Sequence, residues 1–151
     1  MIQFLNKKSK KITKTIKRDI NFSNSKNHML LMNKNDLFLL GSETIYILDI
    51  QKKEIIKEIK MGNVYGNLSS LYKLSDNILL AGYWYNYIEQ IEYDEIKKEF
   101  KVISKTRKKE NKYLGELSET SSIALLKNNL IAAPFDNSLN GSSLIIYKYK
   151  Y

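Results

Sequence analysis

At 151 residues, with 43% hydrophobic and 11% aromatic content, the chain is long and apolar enough for one folded domain with its own core, which excludes an intrinsically disordered tail. It contains no cysteine, which excludes disulfides and thiolate metal sites, and no apolar run approaches the ~20 residues needed for a membrane-spanning helix. The formal net charge of +9 is unevenly spread: residues 1–27 hold eight Lys/Arg against Asp19 alone, while the remainder is nearly balanced.

Taken in order, residues 1–20 admit two readings. Ile2, Leu5, Ile12, Ile16 and Ile20 lie at helix-like spacing, which would give a basic amphipathic helix suited to an anionic surface. The same residues also superpose on 45–61 at an offset of 43, with seven identities in seventeen, which would make them the outer two strands of a half blade. The opening Met1-Ile2-Gln3-Phe4-Leu5 is too short for a signal sequence, so a cytoplasmic location is the default expectation. Residues 21–27 read as a polar linker.

Residues 28–61 form the unit around which the chain is organised. Met29-Leu30-Leu31-Met32 is a short apolar run that ends in the turn-like residues 33–36. Leu37-Phe38-Leu39-Leu40-Gly41 is apolar without alternation, as in a strand buried on both faces. Thr44-Ile45-Tyr46-Ile47-Leu48-Asp49 follows, then a charged turn and Ile55-Ile56-Lys57-Glu58-Ile59-Lys60. The falling apolar density predicts a four-stranded sheet whose last strand meets water. A second blade is expected over 68–104 and an incomplete one over 119–151, with a long polar connection at 105–118.

Asn35-Asp36-Leu37-Phe38-Leu39-Leu40-Gly41 returns as Asp76-Asn77-Ile78-Leu79-Leu80-Ala81-Gly82 and as Asn128-Asn129-Leu130-Ile131-Ala132-Ala133-Pro134, at spacings of 41 and 52 residues. Periods of this size with about four strands each predict an all-β chain of β-propeller blades, four-stranded antiparallel sheets in an open arc of about three. The alternative is one β-sandwich or barrel. An unclosed arc leaves apolar faces and strand edges uncovered, so the chain is expected to self-associate or to be part of a longer propeller.

Over residues 2–149 the chain resembles the WD-repeat (WD40-like) β-propellers. Ser42-Glu43-Thr44-Ile45-Tyr46-Ile47-Leu48-Asp49-Ile50 is similar to the third strand of such a repeat, with Leu48-Asp49 where Trp-Asp usually stands. The corresponding pairs elsewhere are Leu5-Asn6, Ile91-Glu92 and Tyr147-Lys148, and no copy has the Gly-His pair, so the family's His–Asp network is not carried over. The resemblance implies a non-enzymatic scaffold for protein–protein interaction.

The residue chemistry agrees. His28 is the only histidine and has no cysteine or second histidine to partner it in a common triad or zinc site. Asp136-Asn137-Ser138-Leu139-Asn140-Gly141 resembles the start of a calcium loop, but Tyr147 stands where the bidentate acid belongs. Glu89, Glu92, Asp94, Glu95 and Glu99 are interleaved with Lys97, Lys98 and Lys101 and read as a solvated outer edge. No catalytic residue, cofactor or metal is expected.

Tyr83, Trp84 and Tyr85 form an unusually aromatic connection, and aromatic loop residues are favoured interface anchors. Meander geometry groups this connection with Tyr65 and Arg107-Lys108-Lys109 at one end of the blades. That face is the expected docking surface for a protein partner. The alternative is binding of anionic membrane or nucleic acid through the basic segments 7–18 and 105–112.

Overall fold

The structure, a computed structural model, describes residues 1–20, 29–61, 67–83, 87–106, 124–126, 130–135 and 143–148. Among these residues it is all strand. β1 (Ile2–Leu5) and β2 (Ile12–Ile16) form a hairpin. β3 (Met29–Leu31), β4 (Asp36–Leu40), β5 (Thr44–Asp49) and β6 (Glu54–Lys60) form a four-stranded meander. A second meander comprises β7 (Leu68–Lys73), β8 (Ile78–Tyr83), β9 (Tyr87–Asp94) and β10 (Glu99–Thr106). β11 (Ala124–Leu126), β12 (Leu130–Phe135) and β13 (Ser143–Lys148) make a three-stranded sheet. All pairings are antiparallel, and the strands fall into separate sheets, not one closed barrel.

The helical reading of residues 1–20 does not hold. Their spacing is shared by β5–β6, and the hairpin copies that pair in detail. Ile2 pairs with Ile16 and Leu5 with Ile12; 43 residues on, Ile45 pairs with Ile59 and Leu48 with Ile55. Both hairpins shift register at the same place, between Phe4 and Leu5 and between Ile47 and Leu48. The turns match as well. Asn6 and Asp49 accept backbone N–H groups through their side chains, and Lys10 and Lys53 take φ of 57° and 55°.

The third such turn shows where the sequence alignment slips. Glu92 lies opposite Ile78 in the sheet, but the capping carboxylate is Asp94, which accepts from the N–H groups of Ile96 and Lys97, and the left-handed residue is Lys98 (φ 55°). β9 runs two residues beyond the expected pair before it turns. A left-handed backbone costs a non-glycine residue about 1–2 kcal/mol. Lys10→Gly is therefore expected to be neutral or slightly stabilising, whereas Lys10→Val should lose about 1 kcal/mol or more in chemical denaturation.

The sheets stack face to face. Phe38, Leu40, Ile45 and Ile47 on one face of β3–β6 pack with Leu71, Leu79, Ala81, Tyr83, Ile91 and Tyr93 of the second meander. Leu39 and Leu48, on the other face, pack with Ile20 and with Ile2, Phe4 and Ile16 of the hairpin. β4 is buried on both sides, as its unbroken apolar run predicts, and β6 is largely wet. The repeat offset between the meanders is 42 residues at their first strand pairs, since Met29 pairs with Leu39 and Leu71 with Ala81. The spacing of 41 read from the sequence would turn every side chain of β8 to the wrong face.

Candidate interaction surfaces

At the end where β3 turns into β4 and β9 into β10, a polar cluster ties the two meanders together. Asp36, the first residue of β4, is 1% exposed. Its Oδ2 accepts from Lys98 Nζ at 2.6 Å, from Tyr93 Oη at 2.8 Å and from Asn33 Nδ2 at 2.9 Å. Burial opposes the charge on Asp36, but the hydrogen bonds from Lys98, Asn33 and Tyr93, together with the Lys98 charge, outweigh it and hold the carboxyl below its ordinary value. Burial, and then the hydrogen bond to that carboxylate, pushes the Tyr93 phenol well above its usual range. Lys73 Nζ adds a bond to the Met32 carbonyl at 2.8 Å.

This cluster was not legible as a site, because Asp36 reads as one more turn residue. Two of its three partners, Tyr93 and Lys98, lie 57 and 62 residues away. The one available signal was a carboxylate placed directly before a fully apolar strand. Three protein donors converge on Asp36 Oδ2, while its Oδ1 is buried without a hydrogen-bond partner among the described residues, and the cluster joins the two sheets. An open groove of about 550 Å³ beside it is lined by Asn77, Glu92, Asp94, Lys97, Glu99 and Lys101 among others, a mixed-charge surface without a convergent donor set. No group of three or more potential metal ligands occurs among the described residues.

The acidic stretch is only partly the solvated edge expected. Glu89 is 3% exposed and accepts from Tyr83 Oη at 2.8 Å. β9 is an inner strand of its sheet, so its alternate residues face the neighbouring meander; Glu89 lies on that side with Ile91 and Tyr93. Glu92 accepts from Asn77 Nδ2, Asp94 caps its turn, and Glu99 lies 3.6 Å from Lys57 Nζ.

The basic segment 7–18 comprises the hairpin turn, β2 and the two residues after it. Lys7, Lys8, Lys10, Lys11, Lys14 and Lys17 are all exposed. Lys14 Nζ reaches the Lys52 carbonyl, and Lys53 Nζ reaches Thr13 Oγ1 and stands over the Phe4 ring. Arg18 pairs with Glu58 and covers the Tyr46 ring.

No family model matches the chain, and no curated protein matches it. Among solved structures it is similar to the β-propeller domain of Cps50 (Swd1) from Myceliophteria thermophila, with a TM-score of 0.52 and 16% sequence identity. The match covers 77% of this chain and 40% of that one. The chain folds as part of a β-propeller.

In propeller terms, β3–β6 and β7–β10 are four-stranded blades, and the β1–β2 hairpin packs against the outer face of the first of them. Of the residues expected on the docking face, only Tyr83 is among those described. It is the last residue of β8, not a loop residue, and its ring is fully buried in the core between blades. Tyr65, Trp84, Tyr85, Arg107, Lys108 and Lys109 lie outside the described residues, as do His28 and the calcium-like stretch at 136–141. The strand ends flanking that propeller face are tied down: Met61 N–H donates to the Glu43 carbonyl and Leu68 N–H to the Ser42 carbonyl. No helix among the described residues is long and apolar enough to cross a membrane.

Proposed function

We propose that this propeller segment is a non-enzymatic scaffold that binds a protein partner through the loops carrying Tyr65, Trp84, Tyr85 and Arg107-Lys108-Lys109. One observation carries the reading: the buried polar side chains seen at the blade ends, Asp36, Tyr93, Tyr83 and Glu89, are spent on joining strands and blades. What remains for function is a rigid support with loops at its end, the usual arrangement for binding. Trp84 is the anchor and the basic tripeptide steers approach. Tyr83 supports the face from inside.

A pull-down with the immobilised chain tests this. Trp84→Ala is expected to weaken capture of the partner by on the order of 30-fold, the scale of an aromatic hot spot. Lys52→Ala and Lys97→Ala, on exposed turns at the opposite end, should leave it unchanged. Loss of binding in the lysine variants with Trp84→Ala intact would put the partner on the other end.

A second reading rests on the exposed lysines of the hairpin, which suit a phosphate-bearing surface. Salt separates the two. Binding through several lysine–phosphate contacts should fall by orders of magnitude between about 50 and 200 mM salt, whereas capture through an aromatic anchor should persist.

A further inference from the structure

The β1–β2 hairpin and the first blade meet along a groove of about 350 Å³, bounded by β2 with the residues after it and by the turn into β6. Four cations line it, Lys14, Lys17, Arg18 and Lys53, against one carboxylate, Glu54. Arg18 is committed elsewhere, since it pairs with Glu58 and covers the Tyr46 ring. The three lysines form no ion pair among the described residues. The groove therefore carries an excess of positive charge that the fold itself does not answer.

Two of the lysines are already held in place. Lys14 Nζ donates to the Lys52 carbonyl at 3.1 Å, and Lys53 Nζ donates to Thr13 Oγ1 at 3.2 Å. These bonds cross the joint in opposite directions between sequence neighbours on each side, so both ammonium groups serve the same stretch of the groove. Both acceptors are uncharged oxygens, and an ammonium group has three N–H donors, so each lysine keeps donors for a ligand. Their long stems have lost freedom in forming the joint, which lowers the ordering cost of binding. Like charges gathered in this way repel one another, and a bound anion relieves that repulsion.

We propose that this groove binds a phosphate monoester, carried on a small soluble ligand or on a lipid headgroup. The site rests on the phosphate-surface reading of the hairpin and deepens it, moving the contact from the exposed turn at residues 7–11 to Lys14, Lys17 and Lys53. The residue types select the anion. An ammonium group is a compact point charge that suits tetrahedral phosphate, whereas a planar carboxylate is matched best by a guanidinium fork. The one guanidinium lining the groove is paired with Glu58. A monoester carries about −1.5 to −2 near neutral pH, enough to be shared by two ammonium groups. A nucleic acid strand is a poorer occupant. No aromatic side chain among the described residues lines the groove for a base to stack on, and the Phe4 and Tyr46 rings lie under Lys53 and Arg18.

The full chain is titrated at low salt with two probes that share this chemistry: inositol bisphosphate in solution, and phosphatidylcholine vesicles carrying phosphatidylinositol monophosphate. Saturable binding of the first alone assigns a soluble phosphate ester, and tighter binding of the vesicles assigns the lipid headgroup. With whichever probe binds, Lys14→Gln and Lys53→Gln should each weaken it about tenfold, the scale of one charge-assisted hydrogen bond. Glutamine keeps an N–H donor for the joint, so both variants should retain the wild-type denaturation midpoint. Lys14→Arg keeps the charge and should retain most of the affinity. Citrate, a carboxylate anion, should bind at least about tenfold more weakly than inositol bisphosphate. Equal affinity for citrate overturns the assignment to phosphate. If Lys14→Gln and Lys53→Gln leave binding unchanged while Lys7→Gln and Lys8→Gln weaken it, the groove is overturned and the broader hairpin reading stands. Binding of neither probe overturns both.

Discussion

Phe38→Ala should cost about 3–5 kcal/mol in chemical denaturation, the range for removing a fully buried aromatic ring. Phe38 has no exposed surface and stands edge-on to Tyr93, with ring centroids 4.9 Å apart and planes at 83°, and edge-on to Phe100 at 5.5 Å and 86°. Those rings belong to β9 and β10, so the substitution empties the joint between two blades as well as a strand interior. For a chain of this size the melting temperature should fall by on the order of 10 °C. Phe38→Leu keeps most of the volume and should lose less than half as much. If Phe38→Ala cost under about 1 kcal/mol, the two meanders would not share one core and their stacking would be refuted.

The repeat was readable because each blade repeats the same physical problem. A third strand must turn into a fourth with a polar cap and a left-handed residue, and Asn6 with Lys10 and Asp49 with Lys53 solve it in the same way. Hence residues 2–18 matched 45–61 in register. The slip from 42 to 41 residues at the second strand arose because Leu37-Phe38-Leu39-Leu40 is apolar on both faces, so hydrophobicity cannot say which residue faces which neighbour. Tyr83 read as a loop aromatic because it stands beside Trp84 and Tyr85. Its burial depends on Glu89 across the β8–β9 connection, and no local rule reports that. Asp36 was hidden for the same reason, since its meaning lies in a neighbouring blade.

Asp36→Ala is the other substitution expected to have a large effect. It removes the acceptor shared by Lys98 and Tyr93, leaving a phenol on a 3%-exposed residue without that partner and an ammonium short of its counter-charge. Breaking a buried ion pair by deleting one member costs about 3–5 kcal/mol, and the 26% exposure of the Lys98 side chain, which lets water compensate in part, places this case near about 3. Asp36→Asn keeps an acceptor but not the charge and should fall between wild type and Asp36→Ala. Adding Tyr93→Phe to Asp36→Ala should recover part of the loss, because the stranded hydroxyl goes with it. The pH dependence has a definite sign. The carboxyl is held below its ordinary value in the fold, so its contribution is complete above the unfolded value of about 3.9 and disappears as pH falls through the lower folded value. Denaturation midpoints of wild type and Asp36→Asn should therefore stand furthest apart near about pH 6 and converge toward about pH 2. A gap that stayed constant over that interval would show that Asp36 acts by shape and hydrogen bonding alone, without its charge.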